Sequence, residues 1–153
     1  MDQAVPKHRP AARVLCLDQE GRVLLLLWRD PVEHTVFWEP PGGGIEPGES
    51  AVMAARRELM EETGLPPESV QEHSIVVQRD FRWSGGHFNG PETFFLGRVT
   101  DDRVPGAVGL TEEEYGAMMG FRWFTREELA APREPIEPPD LGEILDKLCS
   151  QLP

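Results

Sequence analysis

The sequence predicts a single domain of the α/β class, and three observations carry that reading. Short apolar runs of strand character recur from "ARVLCLD" to "GFRWF". A capped helix over residues 50–64 stands among them, and "LGEILDKLCSQL" closes the chain with a second amphipathic helix. At 153 residues the chain has the volume for one proper core, and neither an internal repeat nor a second domain is visible in it.

Taken in order, residues 1–11 read as a flexible, polar N-terminal tail and residues 12–153 as the folded domain. "ARVLCLD" and "RVLLLLWRD" flank the turn "DQEG" and are expected as a hairpin. "TVFWE" is a short strand, and Pro and Gly mark "PPGGGIEPGES" as a loop. Ser50 is a good N-cap and Gly64 the favoured residue just past a helix end, so the helix runs between them. Val52, Ala55 and Leu59 fall on one stripe of it, the side expected to face the core. "SIVVQRDFRW" and "PETFFLGRV" are strands expected on either side of a loop, "SGGHFNG". "GFRWF" is a later strand, followed by a short helix for which Thr125 and Glu128 make a capping box. "APREPIEPPD" is a Pro-rich connector to the closing helix.

Composition removes several function classes. The formal charge of -12 argues against a nucleic-acid polymer as partner, because phosphate backbones are gripped by basic faces. An acidic chain can still take a phosphorylated small molecule if metal ions neutralise both sides. No apolar run approaches the roughly 18–20 residues that span a bilayer. The N-terminus lacks the long apolar stretch of a secretory signal, so a cytoplasmic protein is expected. Cys16 and Cys149 lie near opposite ends and are expected as free thiols. His8, His34, His73 and His87 lack zinc-ligand spacing.

The helix itself raises a question. Glu58, Glu61 and Glu62 crowd its last turns, where like charges repel by roughly 0.2–0.5 kcal/mol per pair and the helix dipole prefers a cation. At 100° per residue the three span an arc of about 100°, so their carboxylates can reach one point. Hard divalent cations such as Mg²⁺ and Mn²⁺ choose carboxylate oxygens, and a bound ion would reverse the penalty. A solvated acidic face, partly neutralised by Arg56 and Arg57, is the competing reading. Gly42, Gly43 and Gly44 let the preceding loop turn sharply and bring carbonyls close. Gly43 to Ser50 also imitates a phosphate-binding loop, but Glu49 stands where that motif needs lysine, and a glutamate would repel phosphate.

The full pattern is Gly43, five residues, Glu49, seven residues, then Arg57-Glu58-Leu59-x-Glu61-Glu62-x-Gly64-Leu65. It resembles the Nudix box at every defining position. The resemblance extends more loosely to the N-terminal hairpin, to "WEPPGGG" and to "FRWFTREEL". It implies an α/β/α sandwich around a mixed β-sheet, with the box as a loop–helix–loop. It also implies hydrolysis of a nucleoside diphosphate linked to another group, with Mg²⁺ or Mn²⁺. By similarity, Glu58, Glu61 and Glu62 would bind metal and activate water, with the Gly42 carbonyl as a further ligand. Glu49 and Arg57 would pair and orient those carboxylates. The implied partner is a small nucleoside diphosphate derivative, and the oligomeric state stays open, a homodimer included.

Beyond the box, Glu92 or one of Glu112, Glu113 and Glu114 is a candidate further acid. Arg29, Arg79 and Arg82 are candidates for substrate phosphates, since arginine suits bidentate contacts. Each competes with an ordinary surface role. Trp38 is expected in the core. Trp83, His87 and Phe88, set among glycines, suit a mobile substrate loop. Two other functions share the fold. A binding or sensor module would usually lose box carboxylates, and this chain keeps them. An isopentenyl-diphosphate-isomerase-like enzyme needs an active-site cysteine, for which neither Cys16 nor Cys149 is an evident counterpart.

Overall fold

The computed structural model describes residues 5–151. In chain order it holds β1 (Lys7–His8), β2 (Ala11–Leu17), β3 (Val23–Arg29), β4 (Val36–Glu39), β5 (Gly42–Gly44) and α1 (Ala51–Thr63). A 3₁₀ turn (Pro67–Ser69) leads to β6 (Val70–Trp83), β7 (Gly86–Arg98), α2 (Glu112–Ala117), β8 (Met118–Phe124), α3 (Arg126–Ala130) and α4 (Leu141–Ser150). The eight strands form one mixed sheet, ordered β1-β7-β2-β3-β4, with β5 added to β2, β6 to β7 and β8 to β3. β7 runs parallel to both β1 and β2; the remaining pairs are antiparallel.

Alternation along β2 builds both layers. Leu15 and Leu17 join Phe94, Leu96 and Val23 beneath Leu141, Ile144, Leu145 and Leu148 of α4. Ala12, Val14 and Cys16 join Phe95 and Leu24 against Ala54, Ala55 and Leu59 of α1. With a helix on each face β2 is buried throughout, so it reads as a continuous apolar run rather than an alternating one. The result is the expected α/β/α arrangement. On α1 the buried stripe is Ala54, Ala55 and Leu59, while Val52 only borders it.

The helix limits fall where capping chemistry puts them. The Ser50 side chain accepts from the Met53 N–H, and Gly64 takes φ 75° while donating to the Met60 carbonyl. A side chain at Gly64 would also bring Cβ to 2.8 Å from the Gly106 carbonyl oxygen. Gly64→Val should therefore lower folding stability by more than about 1–2 kcal/mol, the cost of a left-handed backbone alone. An unshifted urea midpoint would contradict this account of the helix end.

Four expectations need amendment. Lys7–His8 pair with Phe88 and Asn89, and Ala11 is fully buried, so ordered structure starts inside the expected tail; residues 1–4 of that tail lie outside the described residues. The first hairpin closes at one rung only, Leu17 opposite Val23, after which β2 and β3 diverge. Part of the Gly-rich loop is a strand, because Gly42, Gly43 and Gly44 pair with Arg13, Ala12 and Ala11. A Cβ at Gly42 would lie 2.2 Å from the Ala12 carbonyl oxygen, so only glycine fits there. Finally, "SGGHFNG" is no open loop. Ser84 and Gly85, at φ 51° and 83°, make a tight turn, and residues 86–90 continue β7. Trp83, His87 and Phe88 are thus strand residues: Trp83 packs edge-on to Trp28 and Phe37, Phe88 stacks on Phe81, and His87 meets Asp80. α2 was not expected, although Thr111 and Glu114 form a capping box at its start.

Candidate active site

Where β2 leaves β3 it pairs with β5, and the last turns of α1 bring Glu58 and Glu62 to a cavity that this strand borders. Arg57 organises this region. Its Nε donates to Glu49 Oε2 at 2.8 Å and its Nη2 to Glu49 Oε1 at 3.0 Å, a two-pronged grip from helix to loop. Nη2 also donates to the Gly44 carbonyl at 3.1 Å. Nη1 reaches Glu58 Oε1 at 2.9 Å and Glu61 Oε2 at 3.2 Å. The bond from Arg57 holds the Glu49 carboxyl below the usual range, and the same bond raises the guanidinium. One arginine therefore fixes the loop backbone and bridges two helix carboxylates.

Glu62 points inward. It is 4% exposed, and its Oε1 accepts the Gly42 N–H at 2.8 Å. Burial first, and then the charge of Glu58, push its pKa well above the ordinary carboxylate value. Glu58 is raised as well, chiefly by burial and against the pull of Arg57. Gly43 packs on Glu58 so closely that a Cβ would lie 2.7 Å from Oε1, which is why this strand edge can be brought against the carboxylate.

Glu58 and Glu62 line a cavity of ≈ 640 Å³, together with Gly42 and Gly43. Behind them lies a buried charge lattice. Arg13 pairs with Glu39 at 3.2 Å and stands 3.5 Å from Glu92, and its Nη1 donates to the Pro40 carbonyl. Arg79 pairs with Glu137 at 3.2 Å and sits 3.9 Å from Glu92. Burial works against the charge on Arg13, but Glu39 and Glu92 outweigh it and raise its pKa. Trp28, Phe37, Phe81 and Trp83 add aromatic surface to the lining.

The expected site residues are distributed unevenly around this cavity. Arg79, Arg82 and Glu92 line it, as does Glu114, whereas Arg29 does not; its guanidinium contacts His34 at an exposed strand end. Glu61 is not part of the lining either; Arg57 bridges it to Glu58. Glu113 instead accepts from the Ser84 hydroxyl. Trp38 is in the core against Phe124. Arg9, Arg13 and Glu39 were missed. The signal for Arg13 was a charged residue inside the apolar run "ARVLCL", and for Glu39 a carboxylate just before "PPGGG".

Among the described residues no three His, Cys, Asp or Glu side chains already converge as a metal-holding group. The donor chemistry nonetheless fits a hard divalent cation. One half-buried and one buried carboxylate, Glu58 and Glu62, face one cavity, each raised in pKa and the first raising the second, beside a glycine edge that a Cβ would fill.

The family model described as the NUDIX domain matches residues 7–148. The chain is 30% identical over 150 residues to an RNA pyrophosphohydrolase of Cereibacter sphaeroides, covering 90% of this chain and 88% of that protein. It is 29% identical over 164 residues to Nudix hydrolase 25 of Arabidopsis thaliana, covering 99% and 92%. The solved MutT protein of Methanosarcina mazei superposes with a TM-score of 0.66 at 18% identity, over 97% of this chain and 98% of that one. An Ap4A hydrolase of C. elegans gives a TM-score of 0.64 at 21% identity, over 94% and 99%. These two structures share the fold.

Proposed function

The chain belongs to the Nudix family and is a hydrolase of its pyrophosphohydrolase type; from that premise we propose that it cleaves the diphosphate linkage of a nucleoside diphosphate joined to another group, using Mg²⁺ or Mn²⁺. The observation that carries this reading is the pairing of half-buried Glu58 and buried Glu62 with the Gly42–Gly43 edge in a cavity that aromatic side chains also line.

Glu58 and Glu62 would hold the metal, with Glu61 beside them and the Gly42 carbonyl as a further oxygen. A divalent ion, when bound, neutralises charge on the phosphoryl oxygens and makes water more acidic. The remaining work falls to the chain. Arg57 keeps Glu58 and Glu61 oriented through its grip on Glu49. A carboxylate not engaged as a ligand would accept the proton of the attacking water. Arg79 and Arg82 meet substrate phosphates, and Glu92 steadies Arg13 and Arg79. The aromatic side chains of the lining would receive the flat base.

The relatives named RNA pyrophosphohydrolase favour a second reading, in which the substrate is the 5′ end of an RNA. The formal charge of -12 opposes extended contact with an RNA backbone, so the small molecule is preferred. A sensor module would have no use for so complete a carboxylate set. An isomerase-type cysteine is absent from the cavity lining among the described residues: Cys16 is buried in the core, its thiol pushed up to about 12 by burial, and Cys149 lies on α4.

The test is a panel of nucleoside diphosphate derivatives and a 5′-triphosphorylated RNA, each with Mg²⁺ or Mn²⁺, reading released phosphate after phosphatase coupling. Turnover on small diphosphates above that on RNA is expected. Turnover on RNA alone would establish the second reading, and binding without turnover on any compound would replace hydrolysis with sensing.

A further inference from the structure

Four arginines line the cavity on the way to Glu58, and they differ in what they hold. Arg13 is ion-paired with Glu39 and Glu92, Arg79 with Glu137 and Glu92, and Arg82 is exposed. Arg9 is different: it is half-buried, and among the described residues its guanidinium has neither an ion pair nor a hydrogen bond. The charges of Glu39, Glu58 and Glu92 reach it without any of them pairing with it.

The fold nevertheless fixes Arg9 in place. Its backbone N–H donates to the Asn89 carbonyl at 2.7 Å, continuing the parallel ladder of β1 on β7. Its carbonyl oxygen lies 2.8 Å from where a Cβ at Gly90 would stand, so a glycine there admits the strand. The guanidinium sits 5.8 Å from the Phe88 ring centroid, and its Nε is 3.2 Å from the Cβ position of Gly44. Aromatic ring, glycine edge and parallel strand together hold a cation beside the strand that touches Glu58. Desolvating a guanidinium without a partner is costly, and a bidentate oxyanion is what its fork fits.

We propose that Arg9 is a substrate-binding residue that takes a phosphoryl group of the substrate beyond the diphosphate linkage being cleaved. It would thereby favour compounds with a third anionic phosphate over nucleoside diphosphates whose second substituent is uncharged. This rests on the diphosphate-hydrolase reading above. The alternative is that Arg9 only offsets the surplus of carboxylates around the cavity, in which case all substrates would feel its loss alike.

The experiment compares the full chain with Arg9→Met and Arg9→Lys on a nucleoside triphosphate and a nucleoside diphosphate sugar, with melting temperatures recorded. For Arg9→Met, KM for the triphosphate should rise about 10–100-fold, the worth of a lost charged hydrogen bond. Its kcat, and KM for the sugar compound, should stay within about threefold, and Arg9→Lys should recover part of the loss. Equal loss on both substrates, or no change on either, would overturn the assignment. Calorimetric binding of inorganic triphosphate separates this proposal from the hydrolase reading. If the chain hydrolyses neither compound but binds triphosphate about tenfold more weakly as Arg9→Met, Arg9 stands and hydrolysis falls. Unchanged triphosphate binding in that variant sinks the assignment whatever the turnover.

Discussion

Replacing Glu62 by glutamine should reduce turnover by about 10²–10⁴-fold, the usual worth of an acid–base group or an oriented water, while leaving the metal-free fold intact. Glutamine keeps the length, the helix propensity and a carbonyl oxygen able to accept the Gly42 N–H. What it removes is a buried negative charge set near that of Glu58. The stability of the metal-free chain should therefore hold or rise. Its pH dependence should change in a definite direction. A folded-state pKa above the unfolded value means the folded chain binds more protons between the two. In the wild type this contribution is fully present below the ordinary carboxylate pKa and is lost as pH rises through the elevated folded value. Glu62→Gln should flatten that decline, leaving the smaller ones from Glu58 and Glu39, which are also raised. Urea midpoints across this pH range measure it. Turnover within about threefold of wild type would show that Glu62 has no part in the chemistry. Glu61→Gln should likewise slow turnover, since Glu61 shares the guanidinium that orients Glu58.

Arg13→Met should be the most destabilising single change at the site, by about 3–5 kcal/mol, the cost of breaking a buried ion pair from one side. Its side chain is 7% exposed and serves Glu39, Glu92 and the Pro40 carbonyl together. Methionine fills much of the volume but leaves both carboxylates facing a cavity that already holds Glu58 and Glu62. Glu39, whose pKa burial already raises, would have to take up a proton on folding. Adding Glu39→Gln to the variant should recover part of the loss, because it removes one of the orphaned charges. A denaturation midpoint for Arg13→Met unchanged from wild type would mean the lattice is solvated rather than buried.

What the sequence disclosed, and what it hid, divides along chain separation. Ser50, Arg57 and Gly64 lie within one helix and its caps, so helical periodicity and capping preferences report their geometry directly. The grip of Arg57 on Glu49 spans eight residues and was legible only through the resemblance to the Nudix box, because Glu49 precedes the N-cap. Arg9, Arg13 and Glu39 reach the cavity only because β7 runs parallel between β1 and β2 while β2 and β3 splay apart. No local pattern encodes that register. The glycines of "SGGHFNG" suggested an open loop because two-residue turns more often carry Asn-Gly than the Ser84–Gly85 found here. α2 was legible in principle, since Thr111 and Glu114 carry the capping signature. There the run of acids reads as candidate ligands as readily as a helix start.

The direct test of a metal-dependent site at Glu58 and Glu62 is turnover of the best small diphosphate from the substrate panel, before and after divalent ions are stripped with EDTA. Activity should vanish in the stripped protein and return with Mg²⁺ or Mn²⁺. The same ions should raise the melting temperature of the wild type more than that of Glu62→Gln, since only the native carboxylate pair binds them tightly. Undiminished turnover in a rigorously metal-free sample would contradict the account at its centre.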